Sequence, residues 1–197
     1  MKKILLLMAI VAICFSANAQ SKFGVKAGIN FSSMTFKNNG VELDTKMIPG
    51  MHIGVLMERQ FNNGFYLQPG LLLSTKGTKW DFNDEDFEYN TTYLELPVNL
   101  GYKVDLSGVK LLLAGGPYFA YGISGEVKSS GKNADIEWGS GKDKDLKPFE
   151  AGLNLSTGVE VQNFQFTLQY GFGLNNISND ELTVKNKVFG ISAAYIF

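Results

Sequence analysis

From Phe23 to Phe197 the chain alternates apolar and polar residues with a period of two, in eight separate segments. A β-strand has this period because its successive side chains point to opposite faces. Each segment is roughly 9–14 residues long, enough for a tilted strand to cross a bilayer. The apolar positions that share a face are, segment by segment, Phe23, Val25, Ala27, Ile29 and Phe31; Met51, Ile53, Val55 and Met57; Phe65, Leu67, Leu71 and Leu73; Leu94, Leu96, Val98, Leu100 and Tyr102; Val109, Leu111, Leu113, Phe119 and Tyr121; Phe149, Ala151, Leu153, Leu155 and Val159; Phe164, Phe166, Leu168, Tyr170 and Phe172; and Phe189, Ile191, Ala193, Tyr195 and Phe197.

The connections between these segments alternate in length. Short connections lie at 60–63, 105–108 and 162–163, and long ones at 36–46, 77–87, 123–148 and 175–186. In an up-and-down meander every second connection lies at the same end, so all the short turns gather at one end and the long loops at the other. This arrangement is typical of outer-membrane barrels, whose short turns face the periplasm. The sequence therefore predicts an all-β, eight-stranded, antiparallel, up-and-down transmembrane β-barrel with both ends of the chain on the periplasmic side.

A soluble periplasmic ligand-binding barrel has the same period with its faces exchanged, and the polar face separates the two alternatives. A face exposed to water is rich in Lys and Glu. Here the polar face is mostly Gly, Ser, Asn, Thr and Gln, with scattered charges of both signs. These charges are Lys26, Glu58, Glu95, Lys103, Lys110, Glu150 and Glu160. We expect them to pair inside a narrow lumen, because a buried charge without a partner is costly.

The N-terminus has the pattern of an export signal. Lys2 and Lys3 precede an apolar stretch at 4–15, and Ala17-Asn18-Ala19 is a cleavage site with small residues at its first and third positions. We therefore interpret 1–19 as a signal peptide and 20–197 as the outer-membrane barrel domain. A lipoprotein would be acylated at Cys14, but Ile13 is bulky where that pathway needs a small residue. Without the signal the chain has no cysteine, which excludes disulfides and thiol chemistry.

Composition agrees with a membrane barrel. The chain contains 22 Gly and 15 Phe, which favours strands and turns over helices. Its formal net charge of −1 gives no indication of nucleic-acid binding. We expect the lipid of the outer membrane to surround the barrel.

Three motifs resemble a known family. They are Leu67 to Gly77 (LQPGLLLSTKG), Tyr93 to Val98 (YLELPV) and Ala114 to Tyr118 (AGGPY), and they resemble the PorT-like outer-membrane β-barrel family of Bacteroidetes. The resemblance spans nearly the whole exported chain and implies a small outer-membrane barrel. It also implies a possible link to protein secretion across the outer membrane, which is the role of the family's namesake. The motifs indicate the family and not an activity.

The last segment also looks like an assembly signal. Outer-membrane barrels commonly finish on an aromatic residue preceded by alternating apolar positions, and Phe197 fits this pattern. We expect the barrel-assembly machinery to recognise this strand. Three prolines complicate the register, because Pro69, Pro97 and Pro117 each remove a hydrogen-bond donor from a strand. The sequence predicts β-bulges at these positions.

An enzyme that hydrolyses lipid or peptide is the alternative function. Such catalysis generally requires an activated nucleophile beside a base. His52 is the one histidine; Ser32, Ser33 or Ser74 are candidate nucleophiles, and Glu58 or Glu95 a candidate orienting acid. No spacing among them indicates a catalytic site, so we interpret His52 as part of a polar lumen network. The expected function is a non-enzymatic role, structural or interacting, in the cell envelope, and we assign no catalytic, cofactor or metal residue.

The long loops hold the remaining candidate chemistry. Asp81, Asn83, Asp84, Glu85, Asp86 and Glu88 form an acidic cluster whose oxygens suit calcium, but the glycine turn and terminal glutamate of an EF-hand are missing. A solvated charged loop is the simpler interpretation. Trp80 and Trp138 are loop aromatics that would anchor at the lipid interface, touch a ligand or hold their own loops. The third loop, rich in Gly and Lys, suggests mobility. Eight strands leave no open channel, so the loops are the expected contact region for an envelope partner.

Overall fold

The computed structural model describes residues 21–38, 41–43, 45–82, 85–129, 132–141, 143–180 and 182–197. In this part of the chain there are ten strands and no helix long and apolar enough to cross a membrane. The strands are β1 (Ser21–Asn38), β2 (Val41–Leu43), β3 (Lys46–Gln60), β4 (Phe65–Phe82), β5 (Glu85–Asp105), β6 (Val109–Ser129), β7 (Lys132–Asp135), β8 (Phe149–Val161), β9 (Phe164–Gly173) and β10 (Thr183–Ile196).

Eight of the described strands form a closed ring. The order is β1, β3, β4, β5, β6, β8, β9 and β10, and each strand is antiparallel to the next. The ring closes where β10 pairs with β1, from Gly24 opposite Ile196 to Lys37 opposite Thr183. The short strands β2 and β7 extend the walls at the long-loop end. The eight-stranded up-and-down barrel expected from the alternation is confirmed.

The two faces of the wall have opposite character. The side chains that point outward are apolar and exposed: Val25 is 51% exposed and Leu155 is 60% exposed. Inward side chains are polar and enclosed: Asn30 is 1% exposed and Glu150 is 0% exposed. A soluble barrel would show the reverse, whereas lipid around a barrel requires an apolar exterior. The predicted assignment of the faces is therefore confirmed.

Both described ends of the chain lie at the short-turn end of the barrel. The N–H of Phe197 donates to the carbonyl of Phe23 at 2.8 Å. At the same end, the turn after β8 bends through Gln162 at a φ of 55°, and the turn after β5 bends through Ser107 at 60° and Gly108 at 111°. The remaining short turn, between β3 and β4, bends through Gly64 at a φ of 84°.

The strands at the other end run further than predicted. The expected loop at 77–87 consists largely of the ends of β4 and β5, and β6 continues to Ser129. The prediction was wrong there because it recognised strands by alternating apolar residues. A strand of the barrel needs apolar outward residues only where lipid covers it. Beyond the lipid the backbone ladder continues with polar outward residues.

The prolines do not cause the predicted bulges. The pairs on either side of Pro69, Pro97 and Pro117 keep one register, although the ladders skip the pairs between Pro69 and Leu72 and between Pro97 and Leu100. The irregularities lie elsewhere, between Met47 and His52 and at Thr92 to Tyr93. An interrupted ladder accommodates the missing N–H groups without an extra residue.

Candidate functional site

A cluster of paired charges fills the lumen near the short turns. Lys103 Nζ lies 2.6 Å from Glu58 Oε1 and 2.5 Å from Glu160 Oε2. Lys110 also binds Glu160, at 2.9 Å. The Gln165 amide donates to both carboxylates, at 2.7 and 2.8 Å. Two cations and two anions therefore balance one another, and the glutamine completes the hydrogen bonds of the carboxylates.

A second charged cluster lies nearer the long loops. Lys76 Nζ is 2.8 Å from Glu95 and 3.6 Å from Glu150. The Tyr118 hydroxyl donates a hydrogen bond to Glu150 at 2.5 Å, and the Asn186 amide donates one to the same carboxylate at 2.6 Å. The Lys76 ammonium also lies 4.6 Å from the centroid of the Tyr118 ring, a cation–π distance. The contact between Lys76 and Glu150 crosses the lumen, since β4 and β8 are not neighbours in the ring.

His52 is part of a third polar group. Its Nδ1 lies 2.8 Å from Asn30 Oδ1, and its Nε2 lies 2.9 Å from Ser192 Oγ. Gly28 pairs with both His52 and Ser192, and its missing side chain lets the imidazole lie across β1 to reach Ser192. The interpretation of His52 as a lumen network residue fits these contacts.

The candidate catalytic residues are not brought together as the enzyme alternative proposed. Ser74 accepts a hydrogen bond from Asn30, and Ser32 accepts one from the backbone of Gly77. Neither serine has a hydrogen bond to the imidazole, and the serine that does is Ser192, which sequence reasoning missed. The only signal for Ser192 is its register opposite Gly28, which requires strand pairing to be known. Ser192 is 4% exposed and His52 is 2% exposed, so both side chains are enclosed in the lumen.

The third long connection closes over the loop end of the barrel. The Trp138 ring lies against Gly122 and contacts Tyr93 edge-on, with ring centroids 5.6 Å apart. It packs beside a small apolar core formed by Met34, Ile136, Leu146, Ile177 and Val184. Asn179 donates to the carbonyls of Gly139 and Lys144, at 2.9 and 3.0 Å, and so ties the third connection to the fourth. The expected mobile loop is a packed cap.

Trp80 holds its own hairpin. It stacks on Phe87 with ring centroids 5.6 Å apart and on Tyr89 with centroids 5.1 Å apart. Of the acidic cluster beside it, Asn83 and Asp84 lie outside the described residues. In the part of the chain that the structure describes, no group of three or more metal-binding side chains is found. The interpretation of this segment as a solvated charged loop stays a prediction.

The lumen has little free space among the described residues. Two voids of about 10 Å³ lie beside Lys76 and beside Lys26, and each has room for about one water molecule. A larger depression of about 700 Å³ lies on the outward wall, lined by Leu100, Tyr102 and Leu155 among others. The ion pairs, the tyrosines and the cap therefore occlude the axis of the barrel.

Comparisons with known proteins agree with this architecture. Residues 16–179 match the family described as "outer membrane protein beta-barrel domain". A comparison with curated protein sequences gives no match. Neisserial surface protein A is 14% identical, with 91% of this chain and 100% of that chain covered and a TM-score of 0.50. The attachment invasion locus protein of Yersinia pestis is 16% identical over the same shares, with a TM-score of 0.46.

A major outer membrane protein from Thermus thermophilus is 14% identical, again over 91% and 100% of the two chains, with a TM-score of 0.47. At such identities the structural similarity concerns the fold alone. The family match covers most of the chain and agrees with the apolar outer wall. The chain is therefore a protein of the outer membrane and belongs to the outer membrane protein beta-barrel domain family.

Proposed function

We propose that this barrel is a non-enzymatic envelope protein that holds a packed loop end at the cell surface for contact with other envelope components. The observation that supports this proposal is the occluded lumen. Lys76, Lys103 and their glutamate partners bridge the interior, and Trp138 lies above them. A barrel without a passage offers its rim and loops for function, which is where scaffolded proteins usually carry their contacts.

Solute passage through the barrel tests this proposal. We expect liposomes that contain the refolded barrel to swell in sugar or salt gradients at the rate of protein-free liposomes, because the voids admit about one water molecule each. Heat-modifiable gel mobility of the same sample serves as the control for folding. Swelling whose rate depends on solute size would show an open pore and contradict the proposal.

The enzyme alternative rests on the hydrogen bond between His52 and Ser192, and it has its own test. We expect His52→Ala and Ser192→Ala barrels to show the same lipid and peptide hydrolysis as the wild type, at background level, because neither group is reachable. A folded His52→Ala variant that loses a specific hydrolysis present in the wild type would establish an enzyme instead.

The finer role that we propose is a contribution to protein secretion. Its support is the resemblance to the PorT-like family of Bacteroidetes, whose three motifs lie on the consecutive strands β4, β5 and β6. Two of these strands, β4 and β5, form a hairpin that extends beyond the apolar wall. Co-purification of secretion components with the intact barrel, lost when 79–88 is replaced by a short turn, is the expected result.

We further propose export through a signal peptide at 1–19, which lies outside the described residues, and assembly through the last strand. Phe197 is 64% exposed on the outer wall beside Tyr195, where a membrane-embedded machinery can reach it. Deletion of Phe197 should remove most of the protein from the outer membrane in cells, whereas the purified variant still refolds in detergent. An unchanged amount in the membrane would rule out recognition of this residue.

A further inference from the structure

Interruptions of the backbone ladders coincide with the three prolines of the family-like motifs. Residue pairs are missing between β3 and β4 at Pro69, between β4 and β5 at Pro97, and between β5 and β6 at Pro117. In an antiparallel ladder two opposite residues exchange N–H and carbonyl hydrogen bonds, and proline has no N–H to donate. One carbonyl in each interruption therefore receives no donor from the neighbouring strand.

At the middle interruption, the carbonyl that lacks a donor belongs to Gly70. The β4–β5 register is the same on both sides of the interruption, which places Gly70 directly opposite Pro97. A backbone carbonyl without a donor is costly in the membrane-spanning part of a barrel, because the surrounding lipid tails offer no hydrogen bond. A donor for the Gly70 carbonyl must therefore come from the lumen side of the wall.

One of the two small voids of the lumen lies at this position. Its volume is about 10 Å³, and Gly70 and Pro97 line it together with Lys26 and Asn99. Asn99 Oδ1 is buried and has no hydrogen-bond partner among the described residues. Lys26 Nζ donates to the neutral Gln169 at 2.8 Å, and an ammonium group carries two further N–H bonds. The void therefore lies among one donor group and two acceptors.

The missing side chain of Gly70 keeps this void open. A Cβ atom at Gly70 would lie 3.3 Å from the Val55 carbonyl oxygen and 3.5 Å from Pro97 Cγ, which is close to ordinary contact. At Gly54 and Gly101, which face the same lumen, a Cβ atom would overlap neighbouring atoms. The φ of Gly70 is not in the positive range that favours glycine. Neither close packing nor backbone conformation therefore requires a glycine here, but the void does.

We propose that this void binds one ordered water molecule, which donates to the Gly70 carbonyl and to Asn99 Oδ1 and accepts a hydrogen bond from the Lys26 ammonium. About three hydrogen bonds are usual for a buried water, and the volume suits one molecule. The water takes the place of the N–H that Pro97 lacks. The first two family-like motifs thus contribute Gly70 and Pro97 to a water-binding site in the wall between β4 and β5.

A high-resolution crystal structure of the refolded barrel tests the site directly. We expect one water peak in the void, within hydrogen-bond distance of the Gly70 carbonyl oxygen, Asn99 Oδ1 and Lys26 Nζ. A void without electron density would overturn the inference. An anomalous peak in the void after a bromide soak would also overturn it, because it would show that the Lys26 ammonium holds a halide ion there instead.

Gly70→Ala and Pro97→Ala, alone and together, test the same site by urea titration in lipid vesicles. The methyl group of Gly70→Ala fills the void and displaces the water, so the urea midpoint should fall, although alanine suits a strand better than glycine. Pro97→Ala supplies the missing N–H, so Gly70→Ala should lower the midpoint much less in that background. A raised midpoint for Gly70→Ala alone would mean a dry void, and equal losses in both backgrounds would mean that only the contact with Val55 matters. Either result would contradict the bound water.

Gly173→Ala is the matched control for these variants. Gly173 also faces the lumen, and a Cβ atom there would come within 3.3 Å of its nearest neighbours, as at Gly70. Its opposite residue on β8 is Gly152 and not a proline, so the backbone ladder is continuous there. The urea midpoint of Gly173→Ala should therefore equal or exceed that of the wild type, and heat-modifiable mobility shows that each variant is folded. A loss as large as that of Gly70→Ala would assign both effects to packing and overturn the inference.

Discussion

Replacement of Lys76 by methionine should destabilise the barrel by about 3–5 kcal/mol, because it leaves buried carboxylates without their cation. Lys76 contacts Glu95 at 2.8 Å and Glu150 at 3.6 Å, and both glutamates are shielded from water. Methionine keeps the approximate length of the side chain, so packing changes little and the loss is electrostatic. The measurement is the free energy of unfolding from urea titration in lipid vesicles, followed by tryptophan fluorescence.

Lys128→Met is the matched control for this experiment. Lys128 pairs with Glu126 at 2.8 Å, but both side chains are exposed, at 44% and 40%, and water screens such a pair so that it contributes little to the free energy of unfolding. A second variant adds Glu95→Gln and Glu150→Gln to Lys76→Met, removes every charge of the cluster and should recover most of the stability. Equal effects of Lys76→Met and Lys128→Met would contradict the buried charge cluster.

Gly152→Leu should cost at least about 3 kcal/mol or prevent folding, which is the upper range for an overpacked site. Gly152 faces the lumen on β8, where a Cβ atom would overlap the Tyr118 ring and the carbonyl oxygen of Phe172. The ring cannot move aside, because its hydroxyl is bonded to Glu150 and Lys76 lies over its face. Heat-modifiable mobility and urea titration measure the effect.

The neighbouring residue provides the control. Ala151 points outward, so Ala151→Leu places the larger side chain in lipid and should change the free energy of unfolding by no more than about 0.5 kcal/mol. The two substitutions add similar bulk at adjacent positions on opposite faces. A strong effect of Ala151→Leu together with a weak effect of Gly152→Leu would mean that the faces are exchanged.

The strands of this barrel and their two faces were predictable from the sequence, because the alternation of apolar and polar residues depends only on each strand itself. Lipid on one side and a polar lumen on the other require alternation along each strand, so Val25 and Leu155 could be placed outward without knowledge of any neighbour. The short turns were equally clear, since a turn such as that at Gln162 interrupts the alternation within two residues. The rule fails beyond the lipid, where β4 and β5 continue as a hairpin with polar outward residues.

The contacts inside the lumen were not predictable in the same way. Lys103 and Glu58 are 45 residues apart, and their contact depends on the stagger of strands that are not neighbours. The sequence indicated that the lumen charges pair but not with whom, and for Lys26 the contact found is a hydrogen bond to the neutral Gln169, at 2.8 Å. Ser192 shows the limit most clearly, because it meets His52 only through the gap that Gly28 leaves on the strand between them.

The measurement that tests the whole account most directly is labelling of single cysteines with a membrane-impermeant maleimide. The only cysteine of the chain, Cys14, lies in the proposed signal peptide, so each introduced thiol is unique in the exported protein. Asp143→Cys lies in the cap, Leu155→Cys in the middle of the outer wall and Asn163→Cys in a short turn, and all three side chains are exposed. An outer-membrane barrel with its loops outward predicts labelling of Asp143→Cys in intact cells, of Asn163→Cys only after lysis, and of Leu155→Cys in neither case. Labelling of Leu155→Cys in lysed cells as fast as Asp143→Cys would show an outer wall in water and contradict the membrane barrel.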